Sequence, residues 1–488
     1  MPSRSTKLIL VSALSWCGAA LAPVPAAGQG PPEPTLRALA GVARAVRDSG
    51  AVWGPAIWPG YRPDTLPLAY VLPGQGMALF NWPGALPQGY GPLDGSPGAG
   101  WQGTAERGAA STSVELSGRA VAQMVVRDTA RASLLGLTLH EALHVYQRSV
   151  AREGRRFGGG ENAMLVGQYP VFDDANEAGV ALEGRLLAAA LNARSAAAAR
   201  RLARQYAAVR ERRFRALPIE LVEFEELAEL NEGLAEYAQI KGELLGGASL
   251  GSQDALRRLD DLTGTPGLSI RLRFYSTGSA LALLLDRLAE RTWKARLMDE
   301  NLTLAELVAQ VSGHHAEEAA SRRAADVAFD FAALRTRART AVTELRGQRR
   351  RVVDSLLSRP GVLVELDGSA LPQRFIGQCG FDPQNTLAVG DGTFLHTRWL
   401  RVCRGTRWDG EFNTPVLQGE GFTTLRAVVG QESEVRLTVR GQLVSLDSLT
   451  RMAGAEEVRI ESPGLTIRVS RADLEKEGRT LRVRLPAQ

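Results

Sequence analysis

Two histidines four residues apart, with a glutamate beside the first, are the residues of this chain best suited to chemistry: His140-Glu141-Ala142-Leu143-His144. On a helix, positions four apart lie about one turn apart on the same face, so both imidazoles can reach one metal ion. Glu141 projects beside them, where a carboxylate can serve as general base toward a water that the metal polarises. The chain has only 5 His, at 140, 144, 314, 315 and 396, so their pairing inside the apolar helical stretch Thr138 to Gln147 is a specific signal. A catalytic zinc needs a third protein ligand and an open position. No other histidine follows at short spacing, so a carboxylate is expected. The best candidate lies in Leu230-Asn231-Glu232-Gly233-Leu234-Ala235-Glu236-Tyr237, which continues a helical pattern from Val222. Glu232 is placed to bind the metal. Glu236, one turn on, is placed to accept a hydrogen bond from a ligand histidine and fix its tautomer. A rival is Glu177 in Asp173-Asp174-Ala175-Asn176-Glu177, with Glu183 beyond it. The alternative role for Glu177 is a favourable charge at a helix N-terminus.

These residues carry a resemblance to the gluzincin zinc peptidases. The segment Asn231 to Tyr237 resembles the N-E-G-F-A-x-Y segment of the neutral zinc aminopeptidases and the N-E-x-x-S-D segment of thermolysin-like proteases. In both, the first glutamate is the third zinc ligand, a role the resemblance gives to Glu232; Glu236 fills the place of the later acid. Arg273-Phe274-Tyr275-Ser276-Thr277-Gly278 is similar to the Y-x-K-G segment of the aminopeptidase-like members. There the tyrosine stabilises the oxyanion, so the resemblance implies that role for Tyr275; Thr277 stands where the lysine is usual. The likeness covers about residues 120–300, as separate motifs in the right order. The gap from His144 to Glu232 is longer than in the aminopeptidases, which implies a helical insertion at about 150–217. No G-x-M-E-N strand motif lies upstream, so aminopeptidase specificity does not carry over.

The elements that must position these groups follow from pattern and punctuation. A helix is expected over Thr35 to Ser49. Short strands and loops are expected over 52–110, with apolar runs at Leu66 to Leu72 and Met77 to Asn81. Ala120 to Arg127 reads as a strand, expected at a sheet edge where an extended peptide could pair with it. Helical pattern dominates from Thr129 to Leu357, broken at 154–160, 216–218, 246–252 and 263–267. After Pro360 the texture changes to short β-type runs, including Val362 to Leu366, Thr423 to Val429, Glu434 to Val439, Leu465 to Val469 and Thr480 to Val483. The expected fold is α+β: a zincin-like domain over 28–359, with a small sheet and a mainly helical lobe, then a sandwich-like β domain over 360–488.

Two other motif matches lack their context. Gly247 to Gly251 fits G-x-S-x-G but follows a helical pattern instead of a strand. Gly98 to Gly103 fits G-x-G-x-x-G but sits in a Gly/Pro-rich loop. His314 and His315 read as a helix start and His396 as structural. The chain has 488 residues and a net charge of +5. Its basic residues are nearly all arginine, interspersed with acids, and the runs Arg210 to Arg215 and Arg346 to Arg351 read as solvated helix faces. No nucleic-acid partner is expected. Arg4, Lys7 and the apolar stretch Leu8 to Leu21 read as a signal peptide ending near 27, with Trp16 speaking against lipidation of Cys17. Export to periplasm or exterior is therefore expected, with no membrane span in the mature chain. Cys379 and Cys403 then remain, either as one disulfide or as two reduced thiols. The expected function is a zinc-dependent hydrolase acting on peptide or protein substrates. A non-catalytic peptide- or envelope-binding protein on the same scaffold is the alternative.

Overall fold

The computed structural model describes residues 33–93, 97–103, 111–248, 259, 270–289, 292–314, 318–372, 375–382, 385–390 and 392–487. The expected signal peptide at 1–27, the break at 263–267, Ser249 and His315 lie outside them.

Helix α1 (Glu33–Ile57) buries Leu39, Val42, Ala43 and Val46, a three- and four-residue spacing that lays one face on the core. It contains the helix expected over Thr35 to Ser49 and runs further. Beneath it lies a sheet of β1 (Leu68–Leu72), β2 (Gly76–Phe80), β3 (Gly91–Pro92), β4 (Gly100–Gln102), β5 (Thr112–Leu116) and β6 (Arg119–Val125). The order is β3-β4-β2-β1-β6-β5. Among the described residues of this sheet, only β1 and β6 run parallel. Alternate residues serve opposite faces. Leu68, Tyr70 and Leu72 join the helical core, while Ala69 packs with Leu79, Trp82 and Val121 on the other side. Burial on both faces is why β1 reads as an unbroken apolar run. Strand β6 is not an edge. It lies between β1 and β5, and β5 takes the edge instead. The short, polar-containing TSVEL of β5 carries no strong strand signal, which hid the outer neighbour.

Helix α2 (Arg131–Val150) carries both site histidines. The helical lobe continues with α3 (Asp174–Leu191), α4 (Ala196–Phe214), α5 (Ile219–Ala228), α6 (Leu234–Leu245), α7 (Ile270–Leu288), α8 (Trp293–Asp299), α9 (Leu304–Ser312), α10 (Glu318–Ala328) and α11 (Phe331–Leu357). No helix among the described residues is long and apolar enough to cross a membrane.

From Leu363 onward the chain is β-rich, which makes the whole a mixed α+β structure. Among the described residues its strands join in one branched, 13-stranded hydrogen-bonded sheet. The branch arises on the long strand Leu465–Glu477. One of its sides pairs with Arg451–Ser462. The other pairs first with Trp408–Phe412, then with Thr480–Arg484. Residues from every arm, including Val364, Val402, Phe412, Leu425, Ile460, Ile467 and Val483, meet in one core separate from that of the helical body.

Cys379 and Cys403 form a disulfide, with Cα atoms 5.8 Å apart and a sequence separation of 24. By chain entropy, closing such a loop stabilises by about 3 to 4 kcal/mol. The double variant Cys379→Ser/Cys403→Ser is expected to lower the unfolding free energy of the β-rich region by that order, read by denaturant titration.

His396 is buried, its ring bonded to Gln418 Oε1 at 2.9 Å and to Thr386 Oγ1 at 3.2 Å. Burial holds its imidazole below the ordinary histidine value. An unfolded chain therefore takes up this proton before the folded one does as pH falls through about 6.5. Its contribution is complete above that pH and is lost below it. Melting temperature between pH 7.5 and 5 is expected to fall less steeply in His396→Gln than in the wild type.

Candidate metal centre

His140, His144 and Glu232 each offer a donor atom within 4.8 Å of the others. Glu232 Oε2 lies 3.8 Å from His140 Nε2 and 3.4 Å from His144 Nε2. Donor atoms held about 2.0–2.1 Å from a tetrahedral zinc ion are separated by about 3.3 Å, so the three approximate one face of such a polyhedron. Glu232 Oε2, His140 Nδ1 and Glu141 Oε2 are buried and make no hydrogen bond. Buried polar atoms normally find partners, and a cation between the two Nε2 atoms would supply one for Glu232 Oε2, whereas His140 Nδ1 faces Glu236 instead. The donor set fits a metal ion on these grounds.

Backbone packing sets the geometry. Helix α2 crosses α6 where two glycines meet: a Cβ on Gly136 would lie 2.7 Å from Glu243 Cγ, and one on Gly242 would lie 3.0 Å from Gly136 Cα. The phenols of Tyr61 and Tyr70 grip α2 beside His140. Tyr61 donates to Leu139 O at 2.9 Å, and Tyr70 pairs with Thr138 Oγ1 at 3.1 Å. Between α5 and α6 the chain widens into one π-helical turn, Glu229–Gly233, which carries Glu232. Such turns shift the register of a helix and frequently mark functional sites. The turn packs on α7 through a second glycine pair. A Cβ on Gly233 would lie 2.5 Å from Gly278 Cα, and one on Gly278 would lie 2.6 Å from Glu229 O. This close crossing brings Tyr275, one turn before Gly278, over the site. Its ring stacks on His140 with centroids 5.7 Å apart. Burial and the adjacent Glu232 carboxylate push the Tyr275 phenol well above its ordinary value, so it remains a proton-bearing donor.

The electrostatics favour an ionised Glu232. Burial raises its carboxyl, but His144, His140 and Arg271 hold it well below the usual range. Burial lowers His144, yet Glu232 chiefly carries it up to about 9. A metal bound here displaces that proton. Glu141 is raised by burial. Gln147 is the partner that orients His144. Its Oε1 lies 2.9 Å from His144 Nδ1, and its Nε2 donates to Leu230 O at 3.0 Å and Asn231 O at 3.1 Å. With Nδ1 as donor, Nε2 keeps its lone pair for a metal. Glu236 Oε2 faces His140 Nδ1 at 3.9 Å, outside hydrogen-bond range. Gln147 and Arg271 were not singled out from the sequence. Gln147 was findable, because it stands three residues from His144 on the same helix face.

Glu177 is not at the cluster. Its carboxylate takes a bidentate pair from Arg273 at 2.8 and 2.6 Å. The basic run of α4 also differs from the solvated face expected for it: Arg210 and Arg213 are buried. Arg213 bonds Glu183 and Glu225, and Arg210 bonds Glu183 and holds both oxygens of Glu229 at 2.9 and 2.7 Å. Thr277 Oγ1 donates to Glu229 Oε1 at 2.5 Å, which ties α7 to the turn that carries Glu232. His314 bonds Glu211 Oε2 at 2.8 Å, apart from the cluster.

Compared with known protein families, characterised proteins and solved structures, the chain finds no match. The geometry of its own residues is therefore what defines the site.

The glycine crossing can be tested directly. Gly278→Ala must separate α7 from the π-turn, at a cost of about 1–3 kcal/mol. Its melting temperature is expected to fall, and any affinity for an added divalent metal ion to weaken. Ala280→Gly, two residues on, serves as a control that lowers stability without loosening metal binding.

Proposed function

We propose that this chain is an exported zinc peptidase of the gluzincin type, with a zincin-like catalytic region. The observation that carries the reading is the triad His140, His144 and Glu232, with Glu232 Oε2 left without a hydrogen bond between the two imidazoles, beside a buried Glu141. Two imidazoles and one carboxylate are a donor set that suits zinc in a hydrolytic site. A zinc ion held there would polarise a water molecule and the scissile carbonyl. Glu141 takes the proton of that water and returns it to the leaving amine. Burial raises its carboxyl, which makes it a stronger base than an exposed glutamate. Tyr275 donates to the carbonyl oxygen as charge develops on it. Strand β5, the sheet edge next to α2, is where an extended substrate would add a strand. Arg148, one turn beyond His144, already holds the carbonyl of Ser113 on β5 at 2.7 Å, which joins that edge to the site helix. The Cys379–Cys403 bond supports export, since such bonds persist in oxidising compartments.

The test is metal content and hydrolysis on the mature protein. Wild type is expected to hold one zinc per chain, and Glu232→Ala to lose it. Glu141→Gln is expected to keep the zinc while peptide hydrolysis falls about 10²–10⁴-fold. Failure of the wild type to retain zinc after incubation with it, or unchanged hydrolysis in Glu141→Gln, would overturn the proposal.

A further inference from the structure

We infer that Arg271 is a positioning residue that restricts Glu232 to binding metal through a single oxygen. The inference rests on the metal site proposed above and concerns how its open position is kept.

The two oxygens of Glu232 have different surroundings. Oε1 receives the Arg271 guanidinium through Nη2 and lies 3.4 Å from Asn231 Nδ2. Oε2 takes no hydrogen bond and faces both histidine Nε2 atoms. Arg271 is itself fixed, because its Nε donates to Glu161 Oε1 at 2.6 Å. The three side chains are 16%, 7% and 5% exposed for Arg271, Glu232 and Glu161, so little solvent competes for these bonds. A guanidinium presents its donors in a rigid plane and spans two carboxylates without rearranging, which an ammonium cannot do. Arg271 stands on the first turn of α7, one turn before Tyr275, so a single helix supplies both the clamp on the ligand and the phenol over His140.

The consequence concerns coordination number. A carboxylate with both oxygens free can chelate a metal and fill a second position, whereas a catalytic site keeps that position open. With Oε1 engaged by a charge-assisted bond, Glu232 presents Oε2 alone. Removal of Arg271 frees Oε1 to enter the coordination sphere.

Cobalt(II) in place of zinc reads this directly, because its visible absorption weakens as coordination rises above four. Arg271→Met is expected to fold and bind one cobalt, with a clear loss of absorption intensity per bound ion relative to wild type. Arg271→Lys, too short to span Glu161 and Glu232 together, is expected to shift the same way to a smaller degree, and it decides the matter if Arg271→Met does not fold. A spectrum identical to wild type in the folded variants would overturn the role of Arg271 while leaving the metal site intact. So would loss of cobalt altogether from folded Arg271→Met, which would make the arginine a requirement for binding instead of a limit on it. Wild type that binds no cobalt, or binding that survives Glu232→Ala, would overturn the metal site itself and this inference with it.

Discussion

A carboxylate taken out of water costs several kcal/mol unless donors or positive charge replace the solvent. Glu232 is in that position, with 7% of its side chain exposed. Its compensation comes from three elements: the imidazoles on α2, Asn231 on its own turn, and Arg271 on α7. None of these works at a distance much beyond contact, so α2, the π-turn and α7 must approach closely. The two glycine crossings permit that approach. The demand for charge compensation at one atom group thus propagates into the choice of residues at Gly136, Gly233, Gly242 and Gly278.

The same demand is met a second time one layer deeper. Glu183, Glu225 and Glu229 face Arg210 and Arg213 with almost no water between them. Three carboxylates against two guanidiniums leave one negative charge over, and burial pushes the Glu229 carboxyl up toward taking a proton. Buried ion pairs of this kind seldom add net stability over an apolar packing of the same volume. They do require their partners in one arrangement, because each lost contact strands a charge. Glu229 begins the turn that holds Glu232, so the network fixes the π-turn from below while the histidines and Arg271 fix it from the side.

What was legible beforehand follows the range of each signal. The α2 pair and the Glu232 turn were readable because helical spacing is local. Strands β1 and β2 carried continuous apolar runs, and several C-terminal strands carried short alternations of apolar and polar residues. Strands such as Gly91–Pro92, Gly100–Gln102 and Gly380–Phe381 did not, because two or three residues rich in glycine carry no period. Partners drawn from distant sequence were out of reach in principle. Nothing local links Arg271 to Glu161, 110 positions away, or Arg273 to Glu177, 96 positions away. Arg210 and Arg213 were misplaced for a related reason. A dense basic run resembles a solvated face until its acidic partners on other helices are known.

The long stretch between His144 and Glu232 takes on a definite task in this light. Helices α3 and α4 fill it, and they pack on each other with Glu183 of one bonded to Arg210 and Arg213 of the other. Those arginines then reach Glu225, on the helix before the turn that bears Glu232, and Glu229, the first residue of that turn. Arg273, two residues after Arg271, is held by Glu177 at the start of α3. The intervening helices therefore brace both sides of Glu232: the turn that bears it and the helix that clamps it. A segment that only lengthened the chain between His144 and Glu232 would have no reason to bury four charged residues against that turn and that helix. Glu177 fails as a ligand for the same reason that it matters, since its charge is spent holding α7 where Arg271 and Tyr275 can reach the site.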